Sequence, residues 1–383
     1  MIMSVSLSAA FWAATKVSVA ALIAMSPAIF GTRPPWDGDL DRIMDRLIVD
    51  MPLVSGLAEL MKNSKDWYEI VSLIDDHRFI LLICDFSNDS IHIVDLGGMD
   101  SEKVKQWKRW ADDSALSAKG EGGQGLGGKS AMINIPSKYS TIETVSGGIR
   151  NKMGFDTSLN GIDRFSPAYI IENEIEVDDL ECKDPYTQLM NFLSDTGINT
   201  SYWDDDSSWS TFQEAAKIRE SYTIITLKGL GDHLPKQAHQ KANFAKEMEA
   251  KLRLDPQLQQ TMEQSEVYFF DPSGFPSVLS PEYPEEIEGA HEYFTSFEDE
   301  EITDPRTSKS FVISGQIAFR SSKQDMKTRP RLRSLNTVRV MDKHNTVWTI
   351  PMDEIHDMPL ANRHAYGLIQ IDADLGKFAD TKR

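Results

Sequence analysis

The chain has 383 residues, 40% of them apolar, and a formal net charge of −19. Single cores stop growing near ~250 to 300 residues, so this length predicts two domains. The acidic balance argues against a protein that works mainly by neutralising nucleic-acid phosphates or anionic lipid. The two cysteines, Cys84 in an apolar run and Cys182 in an acidic loop, give no disulfide framework and no CxxC metal signature, which fits a reducing compartment.

In chain order, residues 1–30 are the compositional oddity, apolar or small with Lys16 as the only charge. Three readings compete for them: a packing or accessory segment or misannotated start, a membrane anchor, and a cleaved signal. The run after Lys16 is shorter than the about 20 apolar residues of a spanning helix. After "GTRPPWDGD", whose Pro and Gly mark a boundary, "LDRIMDRLIVD" reads as a short helix. In the helix that follows, "GLAELMKNSKDWYE", steps of four and three residues put Glu59, Asn63 and Asp66 on one stripe. Leu57, Leu60, Met61, Trp67, Tyr68 and Val71 take much of the remaining circumference, so the stripe is either a wet face or the floor of a site.

"RFILLICDF" and "IHIVDL", separated by "SNDS", read as a hairpin. Residues 100–118 are helical and run into the glycine-dense "KGEGGQGLGGKS". Strands are expected at "KYSTIETV", "IRNKMGFD" and "AYIIENEIEV", helices near 185–195 and 209–220, then a strand "YTIITLKGL". Beyond residue 235 come a charged helix (236–252), the strand "EVYFF", an acidic stretch from Pro284 to Asp304 read as a solvated loop, and four later strand-like runs. The pattern predicts an α+β sandwich, with helices on one face of a mixed sheet, followed by a smaller α/β domain. The boundaries expected are 1–32, 33–235 and 236–383.

Gly123, Gly128, Lys129 and Ser130 satisfy G-x-x-x-x-G-K-[ST], the loop that cradles nucleotide phosphates in P-loop NTPases. Such a loop leaves a buried strand, and "ADDSALSAKGEG" is not one. The order of features as a whole instead resembles the GHKL superfamily over roughly residues 37–232: a helix with E-x3-N-x2-D, a hairpin ending in D-x-G, a variable segment, a glycine-rich turn opening a helix, and a late strand with a Thr. Members include the ATPases of type II topoisomerases, the MutL proteins, the ninety-kilodalton heat-shock chaperones, the MORC proteins and histidine-kinase catalytic domains.

The resemblance implies a role for each matching residue. Asn63 would bind Mg²⁺, a hard ion that wants oxygen ligands. Glu59, one turn earlier, would polarise the water that attacks the γ-phosphate. Histidine kinases generally lack this glutamate, so its presence favours hydrolysis. Asp66 would support the ATP site. In "VDLGGM", one residue shorter than the family's D-x-G-x-G-M, Asp95 would take the adenine amino group, Gly97 would let the ring approach, and Met99 would pack on the base. Gly123, Gly125, Leu126, Gly127 and Gly128 would present backbone N–H groups to the phosphates at a helix start, with Lys129 and Ser130 adding contacts. Residues 100–122 would be the ATP lid. Thr223 would hydrogen-bond near the adenine, with Tyr222 where glycine is usual.

The resemblance further implies a transducer-like second domain, for whose γ-phosphate lysine Lys323 and Lys327 are candidates, and an ATP-dependent homodimer. "KTRPRLRSLNTVR" reads as a charged loop or a nucleic-acid contact, and "WDDDSSW" as a helix-capping turn. The expected function is Mg²⁺-dependent ATP hydrolysis with lid closure, in the cytoplasm or anchored through residues 1–30. Alternatives are a nucleotide-gated interaction module with negligible turnover, phosphotransfer, and the P-loop reading. A protein partner or effector is also expected.

Overall fold

The computed structural model describes residues 52–71, 73–74, 77–108, 127–156, 169–180, 182–199, 207–231, 233–282, 293–303, 310–319, 337–341, 346–351 and 365–372. Residues 1–51, and with them the apolar segment, lie outside these spans, as do Gly123, Gly125, Leu126, Lys323, Lys327 and most of "KTRPRLRSLNTVR" and "WDDDSSW". Among the described residues the chain divides into two compact units between Pro281 and Glu282.

The first unit opens with helix α1 (Leu53–Ile70) and the antiparallel hairpin of β1 (Phe79–Ile83) and β2 (Ser90–Asp95). Helices α2 (Ser101–Lys108) and α3 (Gly127–Asn134) follow, then strands β3 (Tyr139–Ser146), β4 (Ile149–Asp156) and β5 (Tyr169–Glu176). Next come α4 (Pro185–Asp195), α5 (Ser207–Arg219) and β6 (Tyr222–Lys228). Helices α6 (Ala238–Arg253) and α7 (Pro256–Gln264) and strands β7 (Glu266–Phe270) and β8 (Pro276–Val278) complete it. The eight strands form one mixed sheet in the order β5-β4-β3-β6-β2-β1-β7-β8, giving the α+β class expected. Its single parallel pairing is β1 with β7.

That pairing moves a segment. "EVYFF" was expected in a domain starting at 236, yet it lies between β1 and β8, register Phe79 with Glu266 through Ile83 with Phe270. Residues 238–281 are therefore part of the first unit. A five-residue strand with four buried positions needs ladder partners on its edges, and the run "FILLI" offers one of matching length.

The helices were expected on one face of the sheet and cover both. Ile80, Leu82, Ile91 and Ile93 pack with α1, α3, α6 and α7, whereas Phe79, Leu81, Ile83 and Val94 pack with Leu189, Leu193 and Phe212 of α4 and α5. A strand buried at every position, as β1 is, has no wet side, and its unbroken apolar sequence reflects that.

The second unit holds a five-stranded sheet of order β12-β11-β13-β10-β9. Its strands are β9 (Tyr293–Thr303), β10 (Ser310–Phe319), β11 (Thr337–Met341), β12 (Thr346–Pro351) and β13 (Ala365–Ile371), paired antiparallel except β11 with β13. No helix occurs among its described residues, where an α/β mixture was expected. The acidic stretch read as a loop is mostly β9: Phe297 and Ile302, on either side of a register shift against β10, are buried while Glu298, Asp299 and Glu301 are exposed, so two inward apolar side chains outweigh the run of charge. Among the described residues no helix is long and apolar enough to cross a membrane.

Candidate nucleotide site

The polar stripe of α1 is not a wet face. Glu59 and Asp66 are only 7% and 6% exposed, and Asn63 is half-buried. Asp66 is held by lysines of its own helix, Lys62 Nζ at 3.3 Å and Lys65 Nζ at 3.4 Å, and Lys65 also reaches Glu69 at 3.0 Å. Buried charges persist only when paired, and this cluster pairs them within two turns.

Asn63 Nδ2 donates to the Glu59 carbonyl at 2.8 Å, which leaves Oδ1 as the acceptor of the amide. Helix α3 packs on α1 at this point. A Cβ added to Gly128 would lie 2.5 Å from Asn63 Nδ2, inside any real contact distance. The end of the glycine-rich segment thus rests on the asparagine of the E-x3-N-x2-D motif, and only glycine admits that approach. Gly127, Lys129 and Ser130 lie in the same first turn of α3.

One residue beyond Asn63, Ser64 Oγ donates to Asp95 Oδ2 at 2.8 Å, joining α1 to the end of β2. The other oxygen of Asp95 accepts from Gly97 N–H, also at 2.8 Å. A carboxylate has about four lone-pair sites, so each oxygen retains capacity for a further donor. Burial raises the Asp95 carboxyl to about pH 6, with the bonds from Ser64 and Gly97 pulling the other way. The group is short of donors for its charged form.

Two aromatic side chains of α1 shape the same corner. Tyr68 donates its hydroxyl proton to the Phe79 carbonyl and accepts from Leu96 N–H at 3.0 Å, tying α1 to β1 and to the residue after β2. Burial pushes the Tyr68 phenol up, and the Asp95 carboxylate adds to the effect. Trp67 Nε1 donates to the Gly98 carbonyl at 2.6 Å, and its ring lies where a Cβ on Gly97 would fall. Lys103 of α2 sits over that ring, 5.0 Å from its centroid, and burial lowers its ammonium while Asp100 opposes the shift.

Across the sheet, Asp95 is paired with Thr223 and Thr223 with Thr144, so three polar side chains share one row and one face. Thr144 Oγ1 accepts from Met99 N–H at 2.6 Å, donates to the Tyr222 carbonyl at 3.2 Å and lies 3.1 Å from Thr223 Oγ1. Met99 itself is buried at this corner.

Of the expected residues, the structure brings Asn63 to Gly128, and Asp95, Gly97, Met99 and Thr223 to a second cluster linked to the first through Ser64. Ser64, Trp67 and Thr144 were not singled out from the sequence. Ser64 lies inside the motif, and Thr144 follows Ser140 and Ile142 at strand period in "KYSTIETV"; either signal marks a face and not a role. Residues 109–126, which lead into the G-x-x-x-x-G-K-S run and include Gly123, lie outside the described residues.

No family model and no curated protein matches this sequence. Among solved structures it is similar to the ATPase and transducer domains of DNA topoisomerase II from Balamuthia mandrillaris, at 12% identity over 86% of this chain and 79% of that chain, with a TM-score of 0.36. It is also similar to the 43K ATPase domain of Thermus thermophilus gyrase B in complex with an aminocoumarin, at 10% identity over 82% of this chain and 74% of that chain, with a TM-score of 0.31.

Proposed function

We propose that the first unit is a GHKL-type nucleotide site that binds ATP with Mg²⁺ and hydrolyses it. The observation that carries this reading is the joining of distant motifs: Asn63 packs against Gly128, 65 positions on, while its neighbour Ser64 bonds Asp95. A donor-hungry buried carboxylate beside Thr223 suits an exocyclic amine, and Asp95 would hold the adenine there with Gly97 and Met99. The N-terminal turn of α3, with Gly127, Gly128, Lys129 and Ser130, would face the phosphates together with Gly123, Gly125 and Leu126.

The donor set fits the metal as well. Asn63 Oδ1 is a neutral oxygen left over when Nδ2 is engaged, suited to a hard cation beside a charged triphosphate. Bound Mg²⁺ would neutralise charge on the phosphates. Glu59 would take the proton of the attacking water, and Asp66, through Lys62 and Lys65, would keep the helix face in place. Lid closure by residues 100–122 and ATP-dependent pairing of two chains complete the reading, with the second unit as the transducer.

The test is ATP binding and turnover measured side by side. Glu59→Ala is expected to retain ATP affinity and lose turnover by 10²-fold or more, as removal of a general base does. Asn63→Ala is expected to lose both metal and tight nucleotide. Turnover by Glu59→Ala at the wild-type rate would overturn the assignment. Binding with no single-turnover hydrolysis in the wild type would make the protein a nucleotide-gated module instead.

A further inference from the structure

The stripe that carries Glu59 and Asn63 continues one turn further. Steps of four residues along α1 lead from both to Trp67, so the indole leaves the helix on the face that holds the proposed base and metal ligand. It is half-buried, whereas Tyr68 beside it, which faces the core, is fully covered.

Its neighbours locate the ring. A Cβ built on Gly97 would lie 2.5 Å from Trp67 Cδ1, 3.2 Å from Trp67 Nε1 and 3.0 Å from Asp95 Oδ1. The indole and the carboxylate oxygen therefore share the one side of Gly97 that a missing side chain opens, and no more than the sum of the first and last distances separates them. A base whose amine is held by Asp95, and whose ring lies along Gly97, needs the same space. Two contacts keep the indole there: Trp67 Nε1 donates to the Gly98 carbonyl at 2.6 Å, and Lys103 Nζ stands 5.0 Å from the ring centroid. An indole has the fused six- and five-membered outline of a purine and a ring N–H to donate, so it stands in for a base in shape and in polarity.

We propose that Trp67 is an intramolecular occupant of the base site, its indole filling the ring space beside Asp95 and Gly97 until a purine nucleotide displaces it. The inference rests on the reading of the Asp95 corner as a nucleotide site and adds a threshold to it. Nucleotide affinity is then set by competition between an external ring and one the chain supplies. Displacement costs the Gly98 hydrogen bond and the Lys103 contact, which together lower the apparent affinity about 5- to 50-fold.

The experiment is a calorimetric titration of the full chain with ADP, run on the wild type, Trp67→Ala, Trp67→Phe and Lys103→Gln. Trp67→Ala is expected to bind ADP about 5- to 50-fold more tightly than the wild type. Trp67→Phe, which keeps a ring without the N–H donor, and Lys103→Gln are each expected to gain about 2- to 5-fold. A wall or stacking platform for the base gives the opposite sign, so unchanged or weaker binding by Trp67→Ala overturns the proposal. The wild type supplies a second readout. With 5-fluorotryptophan incorporated, the fluorine resonance missing from Trp67→Phe identifies Trp67, and saturating ADP is expected to shift it. A Trp67 resonance unmoved by bound ADP overturns the proposal even where Trp67→Ala does not fold. Repeating the titrations with Asp95→Asn, alone and combined with Trp67→Ala, separates the two readings. If neither the wild type nor Trp67→Ala binds ADP, or if binding survives Asp95→Asn, the nucleotide reading fails and takes the proposal with it. Binding that requires Asp95 and is equal with and without Trp67 overturns the proposal alone.

Discussion

At position 95 a carboxyl group is held away from water with one donor on each oxygen, and its affinity for a proton rises to about pH 6 against an ordinary value of 3.8. The folded chain then binds more protons than the unfolded chain between those values. Stability contributed by the neutral form is present below the ordinary value and is lost as pH rises through about 6, at a cost on the order of 3 kcal/mol at neutral pH. Asp95→Asn is therefore expected to raise the unfolding free energy at pH 7 and to flatten its pH dependence between 4 and 6, while abolishing nucleotide binding. Chemical denaturation at several pH values measures the first effect, and an unchanged slope would refute it. A ligand donor to Asp95 favours the charged form, so nucleotide affinity is expected to fall as pH is lowered through about 6. Gly128 sets a second residue-scale test. A methyl group there must displace Asn63, so Gly128→Ala is expected to weaken Mg²⁺-nucleotide binding at least tenfold and to destabilise the fold by about 1–3 kcal/mol.

Among the elements, α1 carries Glu59, Asn63, Ser64 and Asp66 on one helix. Its apolar residues Leu57, Leu60 and Met61 are fully buried, each worth roughly 1.5–3 kcal/mol, which can offset the burial of Glu59, Lys62, Lys65 and Asp66 alongside them. Replacing Lys65 by Ala leaves Asp66 and Glu69 with one cation fewer, and a loss of about 2–5 kcal/mol is expected in thermal or denaturant unfolding. Strand β7 is the second element with a consequence. It supplies the parallel partner of β1, so a fragment of residues 39–231 exposes the apolar edge of "FILLI", whereas residues 39–281 cover it. The longer fragment is expected to unfold in one cooperative transition and the shorter to aggregate; scanning calorimetry and light scattering on the two would decide. The charged helix that follows residue 235 belongs to the first unit all the same, because charge along a helix carries no information about which strand pairs with which.

For the whole molecule, the proposed cycle makes oligomeric state depend on nucleotide. Sedimentation of the full chain with and without a non-hydrolysable ATP analogue and Mg²⁺ is expected to show a dimer only with both present, and a monomer throughout would remove dimerisation from the proposal. The motifs of α1, the hairpin around "SNDS", the Asp at the end of β2 and the α+β class could all be read from residue order, because helix and strand periods and turn chemistry are local properties. Tertiary structure alone decided the rest. It buried the Glu59 stripe, laid helices on both faces of the sheet, turned an acidic run into β9, set Gly128 on Asn63, and lined up Asp95, Thr223, Thr144 and Asn151 across four strands. Those facts depend on which distant segments pair and pack, and pairing is selected by the fit of the whole core instead of by any stretch of sequence taken singly.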